Sequence, residues 1–449
     1  LARAGSYIEY VYSLKGNDYM LGYNINFVNM DSILTVGAPV DLHWWMRFPS
    51  QELHIKKERE TGSIYYMTGA DKDDNMTPTK EKDSTDEAAL KWVALKQQFF
   101  TSALINNNDV FTGTHLVQEN YGMNENIKTS YDSKYVKYNR VKLTLPAPGE
   151  KKSYSLKYYF GPNHYGTMSD YDIGLEKMIP MGWSVFSYIN KLLVAPVFSL
   201  FKNTGMSFGW VILILTLIIK ILLLPIGWMT YKSSAKMKVL KPEIDAITEK
   251  YGKDGDQVKK QQETMALYRR AGVSPFSGCL PLVFQMFVLI ALFAFFPAAI
   301  ELRQKGFWWS DDLSTYDSIK DFSFNVPGYG DHVSLFAILM FASTLAFTFY
   351  QQKMFPNQQA GMPGMKFMMY FMPFIFLSFM NSYSAGLSWY YFVANVINIL
   401  QNLLLRKLIS DTKLRAEVDA AMKKPAKAKS GWAQRLEQAA KERQKQIKR

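Results

Sequence analysis

From His332 to Leu405 the only charged residues are Lys353 and Lys366, and Phe367 to Leu405 is 39 consecutive residues without an Asp, Glu, Lys or Arg. A soluble domain cannot keep so much uninterrupted apolar surface from water, so the pattern predicts membrane spans. As one helix the run would measure ~58 Å at ~1.5 Å per residue, about twice the ~30 Å of the hydrocarbon layer. It therefore reads as two spans broken at Asn381-Ser382-Tyr383-Ser384-Ala385-Gly386. With the apolar runs upstream, five transmembrane helices are expected near 208–230, 278–300, 333–352, 367–384 and 387–405, in a membrane core over 206–405.

Residues 1–175 follow another period. Aromatic and β-branched runs at 7–14 and 20–29, joined through Lys15-Gly16-Asn17-Asp18, predict a β-hairpin. Similar runs recur at 63–67, 109–116, 135–145 and 152–160, the acidic stretch 71–87 reads as a long loop, and 88–104 has mixed periodicity and no assignment. Many short strands favour an all-β antiparallel sandwich. Between the two regions, 176–205 places Trp183, Phe186, Ile189, Leu193, Val197 and Leu200 on one helical face, with Ser184, Ser187, Asn190 and Lys191 elsewhere. An amphipathic helix in the membrane surface is expected; a linker helix packed on the preceding domain is the alternative.

Between the first two spans, 233–272 predicts a helical hairpin. Met237, Leu240, Ile244, Ile247 and Tyr251 recur at helical spacing, Gly252-Lys253-Asp254-Gly255 makes a turn, and Val258, Gln262, Met265 and Tyr268 continue on a second helix. Two helices bury little alone, so this hairpin is expected to be mobile or to dock on a partner.

Charge gives the spans a direction. Residues 231–276 carry 10 Lys/Arg against 6 Asp/Glu, and the tail 406–449 carries 14 against 5. The segment 301–331 holds 3 basic and 6 acidic residues. The positive-inside rule puts the hairpin and tail in the cytoplasm and, across five spans, the β domain outside. An upstream signal or anchor is then expected to have exported that domain, and the chain, which starts at Leu1 with no signal peptide, reads as a fragment of a longer precursor.

Composition changes the picture little. A charged fraction of 20% would suit a soluble protein of 449 residues with two or three domains, but it averages over segregated regions. The single cysteine, Cys279, excludes a disulfide framework and a cysteine-based zinc site. His43, His54, His115, His164 and His332 show no metal-ligand spacing, so no metal and no cofactor are expected.

The residue that does not fit is Lys220. It stands 12 residues after Phe208 and 11 before Tyr231, near the middle of the first span. A lysine there costs at least ~2.5 kcal/mol on insertion scales, and no Asp or Glu occurs inside any of the five spans. Snorkelling recovers only part of that cost. What remains is a wet cavity walled by protein. Thr216 lies one turn before Lys220; Tyr391, Asn395, Asn398 and Asn402 form a polar stripe on the last span; Gln285 adds an amide on the second. Interhelical glue explains any one of these, but together with Lys220 they favour a groove. On the fourth span Met365, Met368, Met369, Met372 and Met380 mix with Phe367, Phe371, Phe374, Phe376 and Phe379, suiting varied apolar partners or lipid.

Several motifs are more specific. They include Leu223-Leu-Pro225, Tyr231-Lys-Ser-Ser-Ala-Lys-Met237, Lys241-Pro-Glu-Ile244, Met265-Ala-Leu-Tyr268 and Gly278-Cys-Leu-Pro-Leu282-Val-Phe-Gln285-Met286. Glu301-Leu-Arg303, Trp309-Ser-Asp-Asp-Leu313, Ser384-Ala-Gly386, Tyr390-Tyr391 and, in the β region, Trp92-Val-Ala-Leu-Lys-Gln-Gln-Phe-Phe100 join them. Through these the chain resembles the YidC-type membrane protein insertases, relatives of the organellar oxidase-assembly and Albino proteins, over essentially its whole length. The resemblance implies five transmembrane helices around a hydrophilic groove open to cytoplasm and lipid, and a substrate site drawing on Thr216, Gln285 and Tyr391. The family normally has arginine where this chain has Lys220, which keeps the charge and loses the planar fork. Gram-negative members add a first helix and a large periplasmic domain, placing the protein in the bacterial inner membrane.

The expected activity is that of an insertase and chaperone without covalent chemistry, not an enzyme. It would receive nascent membrane proteins, alone or beside the Sec translocon, and release their helices into the lipid bilayer as a monomer. The basic tail and hairpin would meet a ribosome by counterion release. A channel or transporter would call for internal repeats or an intramembrane carboxylate, and an enzyme acting through the β domain would call for a paired-carboxylate or nucleophile constellation; neither stands out.

Overall fold

The computed structural model describes residues 5–30, 39–107, 109–121, 134–145, 153–252, 256–273, 280–354 and 365–423. The predicted turn at 253–255, Cys279 and the tail beyond 423 lie outside these, as do the side chains of Val258 and Met365. Two compact units make up the chain: Leu1–Leu215 with Phe287–Ala337 and Ser378–Tyr390, and Thr216–Met286 with Ile338–Leu377 and Tyr391–Arg449.

The first unit carries an antiparallel β-sandwich. Strands β1 (Tyr7–Leu14), β2 (Met20–Val28), β3 (Val40–Pro49), β4 (Ser63–Thr68), β5 (Asp73–Asn75), β6 (Lys82–Glu87), β7 (Leu90–Lys96), β8 (Phe100–Asn106), β9 (Thr114–Asn120), β10 (Tyr135–Leu145) and β11 (Ser153–Pro162) form it. Their order is β1-β2-β11-β8-β7-β4-β5 in a seven-stranded sheet and β3-β10-β9-β6 in a four-stranded one. Phe48, Ile64, Leu90, Val93, Leu104, Phe111, Leu116, Val141, Leu143 and Leu156 fill the core. Strand β10 shows why: Val141, Leu143 and Leu145 alternate inward between Arg140, Lys142 and Thr144.

Several elements differ from the sequence reading. The supposed loop 71–87 contains β5 and β6; β6 (KDSTDE) has no apolar residue and owes its conformation to its ladder with β9. The unassigned 88–104 holds β7 and the start of β8. Strand β7 is buried along nearly its whole length, which erases the two-residue period. Strand β9 begins later than expected, and Phe111 bridges back to Leu90 instead. Strand β3 was not anticipated, although its burial alternates regularly. Helix α1 (Ile55–Thr61), also unanticipated, follows β3, and α2 (Tyr165–Ser169) follows β11.

Helices α3 (Val185–Ile189) and α4 (Ala195–Phe201) run together through a π-helical turn at Asn190–Val194. The stripe buried against the protein is Asn190, Val194 and Phe198, while on the apolar face Trp183 is 68% exposed and Leu200 71%. Asn190 tolerates burial because its Nδ2 donates to the Ala291 and Met181 carbonyls at 2.7 and 3.0 Å. Phe198 packs on Phe208, Phe295 and Phe296.

The apolar helices are α5 (Phe208–Val239), α8 (Leu280–Phe295), α9 (Leu335–Met354), α10 (Met365–Asn381) and α11 (Ala385–Leu408). Among the described residues α5 and α9 are by themselves long and apolar enough to cross a membrane; α11 passes the same test jointly with α12 (Asp411–Met422), from which it is bent by 73°. Helices α8 and α10, at 16 and 17 residues, are shorter. The predicted break between the last two has a clear cause. Asn381, at the end of α10, accepts the Ser334 N–H and donates to the Tyr329 and His332 carbonyls, while Ala385 N–H turns to the Thr315 carbonyl. A side chain on Gly386 would meet the Leu313 carbonyl and the Phe296 ring at 3.0 Å.

In the second unit the segment 233–272 holds two helices, α6 (Lys241–Tyr251) and α7 (Gln257–Arg270), but α6 starts later than expected, because Met237 still belongs to α5 and Leu240 caps α6.

Candidate substrate groove

One residue from each of two helices converges on an ammonium carried by a third. Lys220 of α5 is 8% exposed, and its Nζ donates to Gln285 Oε1 on α8 and Asn398 Oδ1 on α11, both at 2.9 Å. A lysine has three donors and no acceptor. Two are satisfied by neutral amides, which solvate the charge without cancelling it. Sequence reasoning named Gln285 and Asn398 as wall residues; it missed that they are the acceptors.

The ammonium faces a recess of about 260 Å³ that Gln285, Tyr391, Asn395, Asn398 and Asn402 also line. Asn395 Nδ2 donates to Ser343 Oγ and Thr344 Oγ1 at 3.1 and 2.8 Å, and the Tyr391 ring packs on Phe376 at 5.5 Å. Thr216 is fully buried and does not line the recess. The structure adds Thr344, Thr348 and Gln351 of α9, with Thr230, Ser234 and Gln401. The α9 set falls at i, i+4 and i+7, the same signal that marked α11, and could have been found. Leu223, Ile226, Phe284 and Phe347 complete an amphipathic lining. On α10 Phe367, Met368, Phe371, Met372, Phe374 and Phe379 are exposed. Such a site can bind and orient an anionic, partly apolar segment. Among the described residues no group of three or more His, Cys, Asp or Glu is placed to hold a metal.

Of the hairpin residues, Met237, Leu240, Ile244 and Tyr268 are buried with Ala271 and Val273, and Met265 packs on them. What covers the hairpin is α12 of the same chain, through Val418. Ion pairs hold it: Glu417 with Lys232 and Lys236 at 2.9 and 2.8 Å, Arg415 with Glu243 at 2.5 Å, and Asp411 with Lys238 at 3.2 Å.

An antiparallel β-sandwich and apolar helices, with a polar recess that Lys220 lines, define a membrane protein. Residues 2–196 match the family model described as the YidC periplasmic domain, and residues 199–413 match the 60Kd inner membrane protein. The chain is 38% identical over 449 residues to the membrane protein insertase YidC of Bacteroides fragilis, covering 97% of this chain and 71% of the relative. It is 38% identical over 467 residues to that of Parabacteroides distasonis, covering 99% and 71%. Against the Phocaeicola vulgatus protein of the same name it is 39% identical over 421 residues, covering 90% and 66%. The chain belongs to the YidC family of membrane protein insertases and is a bacterial inner-membrane protein. A solved active YidC insertase matches 88% of this chain and 73% of its own at 20% identity, with a TM-score of 0.38, too loose a likeness to carry an argument.

Proposed function

We propose that the chain acts as an insertase without covalent chemistry, receiving nascent membrane proteins in the recess beside Lys220 and releasing their helices into lipid. Five spans formed by α5, α8, α9, α10 and α11, the positive-inside bias and the exposed apolar residues of α3 and α4 support a periplasmic β domain, a surface helix and a cytoplasmic hairpin and tail. The observation that carries the reading is Lys220: a buried ammonium held by two amides, in spans that contain no carboxylate, awaits an anion. Acidic extracytoplasmic tails of client proteins fit that requirement. Thr216 then acts behind the groove wall, and Tyr391, Asn395 and Asn398 within it. The groove shortens the polar path, and burial of the client helix in lipid supplies the free energy at ~25 cal/mol per Å² of apolar surface. The tail and hairpin would engage the ribosome, the protein would work alone or beside the Sec translocon, and a monomer suffices. The test is insertion of a single-span client with an acidic tail into proteoliposomes. Lys220→Arg should retain insertion, Lys220→Ala should lower it several-fold and Lys220→Glu should abolish it; normal insertion by folded Lys220→Glu would overturn the reading.

A further inference from the structure

A second pocket, of about 230 Å³, lies in the first unit where α2 and α4 meet the loop after α8. Its floor is apolar, with Ile179, Met181, Phe295 and Ala298; Asn163, Tyr165 and Ser199 add neutral polar groups, and its ionisable groups are His164, Lys191 and Glu301. The charges are arranged unusually. Lys191 makes no ion pair among the described residues; its Nζ stands 5.4 Å from the centre of the Tyr165 ring. Glu301 is 12% exposed at its side chain, and among the described residues its one ion-pair contact is His164, 3.4 Å away through Nε2. His164 Nδ1 accepts the Thr167 N–H at 3.1 Å, so Nε2 carries the proton of a neutral ring. Burial also lowers the His164 pKa below the usual imidazole value, in keeping with a neutral partner that leaves the carboxylate uncompensated. Among the described residues the pocket thus offers a cation without an ion-pair partner and a carboxylate without a cationic partner above an apolar floor, and the adjoining segment exposes Trp183, Leu192 and Leu200.

We propose that this pocket binds the phosphoethanolamine headgroup of a membrane phospholipid, its phosphate on Lys191 and its ammonium on Glu301. A purely anionic headgroup meets the carboxylate and is repelled, and a choline headgroup lacks an N–H to donate to it. The apolar floor and exposed helix face select a lipid over a soluble phosphate ester. The assignment rests on the membrane-surface placement of α3 and α4, not on the Lys220 groove, and binding is measured without any insertion assay.

Native mass spectrometry of the full chain in detergent, titrated separately with dioleoyl phosphatidylethanolamine, phosphatidylcholine and phosphatidylglycerol, tests it. Phosphatidylethanolamine should bind about tenfold more tightly than phosphatidylglycerol, the worth of one charge-assisted hydrogen bond. Lys191→Met, at an exposed position that leaves packing intact, should weaken the phosphatidylethanolamine adduct about tenfold. Glu301→Gln should raise phosphatidylglycerol binding and erase the preference, which a merely structural role would not do. Equal binding of all three lipids, a preference that survives Glu301→Gln, or soluble phosphoethanolamine binding as tightly as the lipid would each overturn the proposal.

Discussion

Lys220 and Asn398, 178 positions apart in sequence, are joined by a 2.9 Å hydrogen bond from the ammonium to the amide oxygen. With the matching bond to Gln285 it holds a full positive charge against the recess wall without neutralising it. A carboxylate in place of either amide would solvate the lysine equally well and leave nothing to attract a client.

Removing one acceptor should therefore cost stability. Gln285→Leu leaves the buried ammonium with one amide acceptor, Asn398, a loss of ~1–3 kcal/mol, and should lower the thermal unfolding midpoint in detergent. Adding Lys220→Met should recover most of it while insertion stays impaired. No recovery in the double variant would mean Gln285 stabilises the fold by other contacts.

Access to the recess can be narrowed at Gly227 on α5. A Cβ there would come 2.6 Å from Gln401 Nε2, the end of a flexible side chain. Gly227→Ala should be tolerated, whereas Gly227→Leu should fill part of the recess and reduce client insertion several-fold with the fold retained. Full insertion by Gly227→Leu would show that clients do not enter there.

The α12 contact should breathe with salt. Its ion pairs are partly exposed, worth ~0.2–1 kcal/mol each and screened at high ionic strength. Glu417→Lys, facing Lys232 and Lys236, should speed amide hydrogen exchange across α6 and α7 several-fold, and Val418→Asp should do so more strongly. Unchanged exchange in both would show that the hairpin is ordered without α12.

The β-sandwich carries a pH signature. Burial pushes the Lys137 ammonium down to about 7 and that of Lys96 to about 8, from 10.5. Between the folded and unfolded values the unfolded chain binds more protons, so stability should rise with pH from about 7 towards 10.5, and the penalty is fully present below about 7. Lys137→Met should flatten that rise, read from exchange rates in β9 and β10 between pH 7 and 10. A rise of the same steepness in Lys137→Met would assign it to another group.

How much of this was legible depends on what each residue faces. Strands β1, β2, β10 and β11 follow the expected runs because most border one solvated face or an edge. Strand β7 was hidden because nearly all of it is buried, and β6 because pairing alone makes it a strand. Lys220 was legible as a misfit: a charge in an apolar run demands explanation. Its acceptors were not, since polar residues 65 and 178 positions away give no sign of which will converge. Helix α12 read as tail because only Leu414 and Val418 are its deeply buried anchors, in a segment otherwise charged.

The groove itself is tested most directly by a photoreactive residue placed at Tyr391, inside the recess, and at Thr216, buried behind its wall, during synthesis of a stalled client. An adduct is expected from position 391 that disappears in Lys220→Glu, and none from position 216. Equal adducts from both positions, or an adduct at 391 that ignores the charge at 220, would contradict it.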